Sequence, residues 1–252
     1  AYIEEMGDWE GLQVLPLYLS RQSYVRAKVM SFLLNDPAIP EAVKQESAAT
    51  AARYYRLAWD YTRSPLGNAS TEFGGHLFLM SGLSGSGKST VARLLAQKVG
   101  AVHLRSDAVR KHLAGIPLDE RGDDTLYTPE RTQKTYQKLL ELGLKLAAQG
   151  YPVILDAKYD RQELRGAVLQ AVEQANMANP AHPLTVHILH CNAPLEVRQA
   201  WLNQRQGDVS DATADLLPKQ HMEPFTDAEQ PFVKTFDTTQ DLAAQLNQIV
   251  HA

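Results

Sequence analysis

One cysteine, Cys191, stands in a chain of 252 residues. A lone thiol excludes an internal disulfide framework and a cysteine-rich zinc site, and a chain of this length can build a core without either. Long apolar runs are missing too. None approaches the roughly 20 residues of a membrane span, and no signal-peptide pattern opens the chain. These absences predict a cytoplasmic protein with no membrane partner. Positive charge is not in excess: 25 Lys and Arg against 29 Asp and Glu give a formal net charge of −4. That balance argues against a broad, non-specific grip on a nucleic-acid backbone, though it permits a site for a single phosphate or one nucleotide end. There is no internal repeat and no low-complexity tract. What remains is globular in composition, 44% hydrophobic and 21% charged, with length for one domain and an extension.

Residues 1–62 read as two amphipathic helices. Tyr18, Val25, Val29 and Phe32 recur at helical spacing in the first, with Pro16 near its start, and the second carries Tyr54, Tyr55 and Trp59. Residues 63–75, with Pro65, Gly67, Gly74 and Gly75 among small polar residues, form the natural linker. Over 76–252, short apolar runs at 76–80, 101–104, 151–155, 184–189 and 232–236 alternate with longer helical stretches. Such alternation builds right-handed βαβ units and a parallel sheet, with the active site at the carboxyl ends of the strands. The helix over 129–149 is the clearest, with Tyr136, Leu139, Leu140 and Leu146 on one face and Gly150 as its stop.

Between the first run and the helix after it lies Gly82-Leu-Ser-Gly-Ser-Gly-Lys-Ser89, which satisfies G-x-x-x-x-G-K-[ST] in full. The candidate nucleotide contacts are Gly82, Ser84, Gly85, Ser86, Gly87, Lys88, Ser89 and Thr90. Glycines let successive N–H groups turn inward around a triphosphate, and the helix N-terminus adds partial positive charge. Lys88 is placed to reach the β- and γ-phosphates of ATP, and the Ser89 hydroxyl to bind Mg²⁺. A ligand-free Gly/Ser turn is the bland alternative, disfavoured because motif and strand-to-helix context coincide. No N-K-x-D motif and no L-S-G-G-Q-like stretch occurs, and Asp156 is followed by Ala157 rather than by a glutamate that would polarise a hydrolytic water. Phosphoryl transfer to a small acceptor is left as the leading class.

On the acceptor side, Arg105-Ser-Asp107-Ala-Val-Arg110 follows the second apolar run, and Asp156 ends the third. A carboxylate can accept a hydroxyl proton, and a guanidinium can hold an anionic acceptor or the transferring phosphoryl. The alternatives are helix capping by Asp107 and a solvated Arg110. With the phosphate loop, these elements resemble the P-loop kinases typified by polynucleotide 5′-kinase, zeta-toxin sugar-nucleotide kinase, chloramphenicol phosphotransferase and gluconate kinase. The resemblance implies that Asp107 and Arg110 form a D-x-x-R element facing the acceptor hydroxyl. It also implies that Asp156 lies near the acceptor or near Mg²⁺, there through a water. Lys158 departs from the threonine usual in those kinases, and either binds an anionic acceptor or points into water. Arg161 and Arg165 read more simply as a solvated helix face. The basic residues Arg105, Arg110, Lys111, Lys158, Arg161 and Arg165 together predict an anionic or polyhydroxyl acceptor: a small molecule, a nucleotide, a sugar or, less favoured, a nucleic-acid 5′ end.

Farther on, Arg198-Gln-Ala-Trp201-Leu-Asn-Gln-Arg205 resembles the lid helix of the same kinases, whose element is R-L-x-x-R. Arg205 matches its second arginine, Trp201 replaces the first, and Arg198 lies one turn earlier. The resemblance makes 205–213 a mobile lid and Arg205 a catalytic cation, with a surface helix end as the alternative. His187 and His190 point to opposite faces of a strand and cannot easily share a metal. The stretch Leu15-Pro-Leu-Tyr18 to Val29 resembles the C-terminal helices of aminoglycoside-phosphotransferase-like domains, which implies an upstream domain of that kind.

The expectation is therefore an α/β protein. A three-layer P-loop NTPase fold with a five-stranded parallel sheet, order 2-3-1-4-5, follows an N-terminal helical segment. Its expected activity is that of an ATP- and Mg²⁺-dependent kinase in which Lys88, Asp107 and Arg205 are catalytic, and Asp107, Arg110, Asp156 and Lys158 bind the acceptor. The competing class is a regulatory ATP-binding module serving an upstream domain.

Overall fold

The computed structural model describes residues 2–65, 72–204, 209–210 and 214–250. The chain divides into two compact units, Asp8–Glu72 on the one hand and Ala1–Gly7 with Phe73–Ala252 on the other. The short helix α1 (Tyr2–Met6) therefore belongs to the larger unit, where the Glu4 carbonyl meets His112 Nε2 at 2.7 Å.

In the smaller unit, α2 (Leu15–Phe32) and α3 (Glu41–Tyr61) form an antiparallel hairpin, fixed by Ser20 Oγ donating to the Ala58 carbonyl at 2.8 Å. The seam is built from Ser23 and Ala27 against Ser47, Ala51 and Ala58, all buried. Small side chains let the two backbones approach closely. The larger residues anticipated at helical spacing, Tyr18, Val29 and Phe32, stay on the outer face, at 63%, 51% and 61% exposure.

The larger unit runs β1 (His76–Ser81), α4 (Lys88–Val99), β2 (Val102–Arg105), α5 (Ser106–Ala114), α6 (Pro129–Ala147), β3 (Val153–Asp156), α7 (Gln162–Ala178), β4 (Thr185–Asn192), α8 (Leu195–Gln204), β5 (Val233–Asp237) and α9 (Leu242–Val250). All strand pairs are parallel and their order is β2-β3-β1-β4-β5, the doubly wound arrangement expected from the alternation of elements. Each observed strand ends one to three residues later than its apolar run, on a polar residue. Alternate residues of the central strand divide the core. Phe78 and Met80 pack with Val91 and Leu95 of α4 and Leu246 of α9, all buried. On the other face α6 presses so close to the sheet that a Cβ on Gly143 would lie 2.7 Å from the Leu155 side chain. α6 starts on Pro129 with Thr128 as N-cap, accepting from the Arg131 N–H at 3.3 Å, and ends at Ala147, earlier than the expected 149, with Gly150 in a left-handed conformation in the turn that follows. Among the described residues, no helix is long and apolar enough to cross a membrane.

Arg165 corrects the expectation of a solvated helix face. It is fully buried, its Nε donating to Glu229 Oε1 at 2.6 Å and its Nη2 to the Pro224 carbonyl at 3.0 Å, with the guanidinium 4.6 Å over the Phe225 ring. The ion pair pins the irregular 223–229 segment against α7, a contact that no local spacing announces. Burial works to raise the Glu229 carboxyl. Hydrogen bonds from Arg165 and Thr226, with the guanidinium charge, outweigh it and hold the carboxyl below its usual range. A carboxylate lowered by folding contributes stability above its unfolded pKa and loses that contribution as pH falls through the folded value. Glu229→Gln leaves the guanidinium buried without its counter-charge and should cost about 3–5 kcal/mol near neutral pH. Urea melts of the two proteins should differ by that amount at pH 7 and converge in acid; equal midpoints at pH 7 would show that the pair does not hold this segment.

Candidate active site

The loop after β1 is shaped by what surrounds it. Gly82 has φ +139°, and a Cβ there would lie 2.4 Å from the Cys191 carbonyl oxygen, so only glycine fits. Gly85, at φ +76°, has the Arg198 carbonyl 2.8 Å from where its Cβ would be, and Leu202 beyond it. The end of β4 and the start of α8 thus form two walls. A third is Thr238, whose hydroxyl donates to the Ser86 carbonyl at 3.0 Å. Gln220 closes a fourth side: its Oε1 accepts from the Ser84 N–H at 2.9 Å and its Nε2 donates to Ser84 Oγ at 2.8 Å. Nothing in the local sequence marks Gln220 or Thr238, which reach the loop from more than 130 residues away.

Inside the loop, polar groups are left for a ligand. Ser86 is 2% exposed, yet its Oγ finds no hydrogen-bond partner among the described residues. Lys88 donates to the Leu83 carbonyl of its own loop at 2.7 Å. Burial lowers its ammonium from the ordinary lysine value, while the charges of Asp156 and Asp107 oppose that shift. The Ser89 hydroxyl is close enough to Asp156 to be among the groups that lower its carboxyl. A hydroxyl and a carboxylate side by side make a hard oxygen donor set of the type that holds Mg²⁺ beside phosphates, and the orphaned Ser86 hydroxyl suits an anion. Thr90 is exposed at the first turn of α4, its N–H directed at the Gly87 carbonyl at 3.0 Å.

Asp156 ends the central crevice, in register with Met80 of β1 and Arg105 of β2. Its Oδ2 lies 2.9 Å from His103 Nε2. Burial works to raise this carboxyl, but His103, Lys88 and Ser89 together hold it below the usual aspartate range. His103 is a site neighbour the sequence pattern did not single out; its only signal is a polar residue two positions before Arg105 on a short apolar strand.

Asp107 is half-buried in the first turn of α5, whose N-cap is Arg105 with no side-chain capping bond. Burial raises its carboxyl from the ordinary value, against the lowering effects of a Ser210 hydrogen bond and the Arg105 and Arg110 charges. Arg110 is turned inward: it donates to the Leu126 carbonyl at 3.0 Å and to Thr132 Oγ1 at 3.2 Å, and lies 5.0 Å over the Tyr127 ring. Lys111 is buried on the Leu118 and Glu120 carbonyls. Lys158 pairs with Asp160 at 3.1 Å and Arg105 with Glu4 at 3.7 Å. It is the backbone of the segment after β3 that touches the phosphate loop, the Gly82 N–H donating to the Lys158 carbonyl at 2.9 Å. Arg198 approaches from α8, with Nε donating to the Ser84 carbonyl at 3.0 Å and a buried Nη2 unmatched among the described residues. Arg205 and most of the expected lid, 205–208 and 211–213, lie outside the described residues. His187 stacks on Phe78 at 4.9 Å and His190 meets Phe225 edge-on, and among the described residues no cluster of metal-ligating side chains occurs.

The profile of the AAA domain family matches residues 77–224, more than half of the chain. An uncharacterized protein of Mycobacterium tuberculosis (strain H37Rv) is 30% identical over 219 residues, as is one from Mycobacterium bovis; each match covers 85% of this chain and 40% of the relative. The chain thus spans about two-fifths of the length of the curated relatives it matches. In fold it is similar to the Mycobacterium tuberculosis APS kinase CysC, solved with AMPPNP and APS, at 19% identity and TM-score 0.50 over 70% of this chain and 96% of that one. A putative kinase from Chloroflexus aurantiacus is similar at 18% identity and TM-score 0.51 over 71% and 95%.

The walls around the loop make a direct test. Gly85→Ala forces a Cβ against the Arg198 carbonyl in a left-handed conformation worth about 1–3 kcal/mol of strain. Titration with a fluorescent ATP analogue should show nucleotide affinity reduced roughly tenfold or more. Wild-type affinity would mean that the loop is not held as described.

Proposed function

Because this chain belongs to the AAA domain family and closes a complete P-loop over a crevice with two carboxylates, we propose that it is an ATP- and Mg²⁺-dependent phosphotransferase. It transfers the γ-phosphoryl of ATP to a hydroxyl of a small acceptor. The observation that carries this reading is the placement of Asp107: a half-buried carboxyl in the first turn of α5, just past the end of β2 and within electrostatic reach of Lys88, beside a loop whose buried Ser86 hydroxyl has no partner among the described residues. A carboxyl raised toward the working pH is a better base than an ordinary aspartate. The fold shared with an APS kinase solved with AMPPNP is in keeping with ATP as donor.

On this reading Ser86 and the loop N–H groups hold the phosphates, and Lys88 neutralises the charge on the transferring group. Ser89, with Asp156 directly or through a water, would hold Mg²⁺, which would neutralise phosphate charge. Asp107 takes the proton from the acceptor hydroxyl as its oxygen bonds to the γ-phosphorus. The bond from that phosphorus to the ADP oxygen breaks, and ADP departs. Arg198 is a cation available from α8, and Arg205, outside the described residues, is the expected second one. His103 keeps the Asp156 carboxylate in place. A cytoplasmic location goes with this chemistry. For the helical unit, the resemblance to the end of an aminoglycoside-phosphotransferase-like domain stands as our reading of the longer protein.

Two substitutions test the assignment. Lys88→Ala should lower transfer roughly a hundred- to thousand-fold at saturating ATP, as loss of one charged contact to the transition state implies. Asp107→Asn should lower it about 10²–10⁴-fold while MgATP affinity stays within a few-fold. Wild-type turnover should fall as acidification protonates Asp107, at a pH above the ordinary aspartate range, and the Asn variant should lack that limb. The sign for stability is also fixed. An ionised carboxyl with a raised pKa opposes folding at neutral pH, so Asp107→Asn should leave the melting temperature unchanged or raise it. A lowered melting temperature with transfer retained would make Asp107 a structural residue and end this reading.

A further inference from the structure

A cleft of about 490 Å³ opens between α6 and α7, apart from the phosphate loop. Its walls carry three phenols, Tyr127, Tyr136 and Tyr159, together with Thr132, Gln133 and Gln137. Its charged lining residues are Arg161 and Glu163, which face each other at 4.0 Å, so the lining has no net charge.

Tyr159 is the unusual member. It is 1% exposed, its hydroxyl has no hydrogen-bond partner among the described residues, and its backbone sits at φ +42°. Its ring stands edge-on to Tyr136, with centroids 5.2 Å apart. A buried hydroxyl without a partner and a left-handed non-glycine residue both oppose folding, and such costs persist where a site uses them. The same residue is tied to the last residue of β1, immediately before the phosphate loop, since its carbonyl accepts from Ser81 Oγ at 3.1 Å. At the other end of the cleft the Tyr127 ring lies under the Arg110 guanidinium, and Arg110 stands three residues after Asp107 on α5. The cleft thus adjoins Arg110 of α5, and its Tyr136 lies within electrostatic reach of Asp107.

We propose that this cleft holds the body of an uncharged ring compound bearing several hydroxyls, of sugar, cyclitol or nucleoside type. Resting on the kinase reading above, that compound is the phosphoryl acceptor. Aromatic faces cover the C–H side of such a ring, while phenol, amide and threonine groups match its hydroxyls, and the volume suits one ring or two. An anionic body is disfavoured by the charges. Arg105, Lys158, Arg161 and Arg165 each face a carboxylate of this chain, and Arg110 and Lys111 are buried on carbonyls.

Saturation-transfer NMR on the whole chain reads this site without turnover. The probes are uncharged hexoses, pentoses, inositols and nucleosides, alongside sugar acids and sugar phosphates. Ala167→Trp, at an exposed position on the α7 rim, fills the cleft, and Tyr159→Phe removes only the orphaned hydroxyl. At least one uncharged probe should bind wild-type protein, roughly tenfold or more weakly after Ala167→Trp and several-fold more weakly after Tyr159→Phe, with AMPPNP affinity reporting the intact fold. Binding of charged probes alone, no binding of any probe, or uncharged binding that Ala167→Trp leaves unchanged overturns the proposal. Phosphoryl transfer, scored separately, keeps the two readings apart. Cleft-dependent binding without transfer supports the site and ends the kinase reading. Transfer to an acceptor whose KM ignores Ala167→Trp does the reverse.

Discussion

The phosphate loop has this shape because neighbouring backbone leaves no room for another. The Cys191 carbonyl stands against Gly82 and the Arg198 carbonyl against Gly85, at distances no Cβ tolerates. Thr238 and Gln220 complete the enclosure through hydrogen bonds to Ser86 and Ser84. With its outer side committed to these partners, the loop keeps its conformation through the packing of β4, α8 and the turn after β5, and the Ser86 hydroxyl is left buried without a partner among the described residues. Preorganisation of this kind means that binding an anion need not order the loop.

The segment after β3 serves several ends within a few residues. Asp156 faces the crevice, the Lys158 carbonyl braces Gly82, and the Tyr159 carbonyl accepts from Ser81 and from Arg165. Arg165 in turn holds Glu229 and the 223–229 segment. A buried ion pair is weak evidence for net stability. Its value here is one of position, fixing the backbone on which Tyr159 and the crevice depend.

Sheet order and the place of the crevice were legible because they follow from rules that act locally: alternation of short apolar runs with helices, right-handed crossovers, and glycine spacing before Lys88. Asp156 was legible as a polar end to an apolar run. The partners of the cations were not. Arg165 and Arg110 occupy helix positions that read as solvated, and what buries them arrives from elements 16 to 64 residues away. His103 gave no signal because a histidine on a short strand is compatible with core, edge or site. The seam of the helical hairpin was not legible for a related reason. Large apolar residues at helical spacing suggest the buried face, but Ala27 and Ser23 allow a closer approach and so won the contact.

The account turns on where the γ-phosphoryl group goes. Incubating the chain with γ-labelled ATP, Mg²⁺ and a panel of hydroxyl compounds, then separating organic phosphate esters from inorganic phosphate, answers this directly. The proposed function predicts label in a phosphate ester, formed in step with ADP and dependent on Asp107. Label appearing only as inorganic phosphate, at a slow rate indifferent to every compound and to Asp107→Asn, would contradict it and leave an ATP-binding module in place of a kinase.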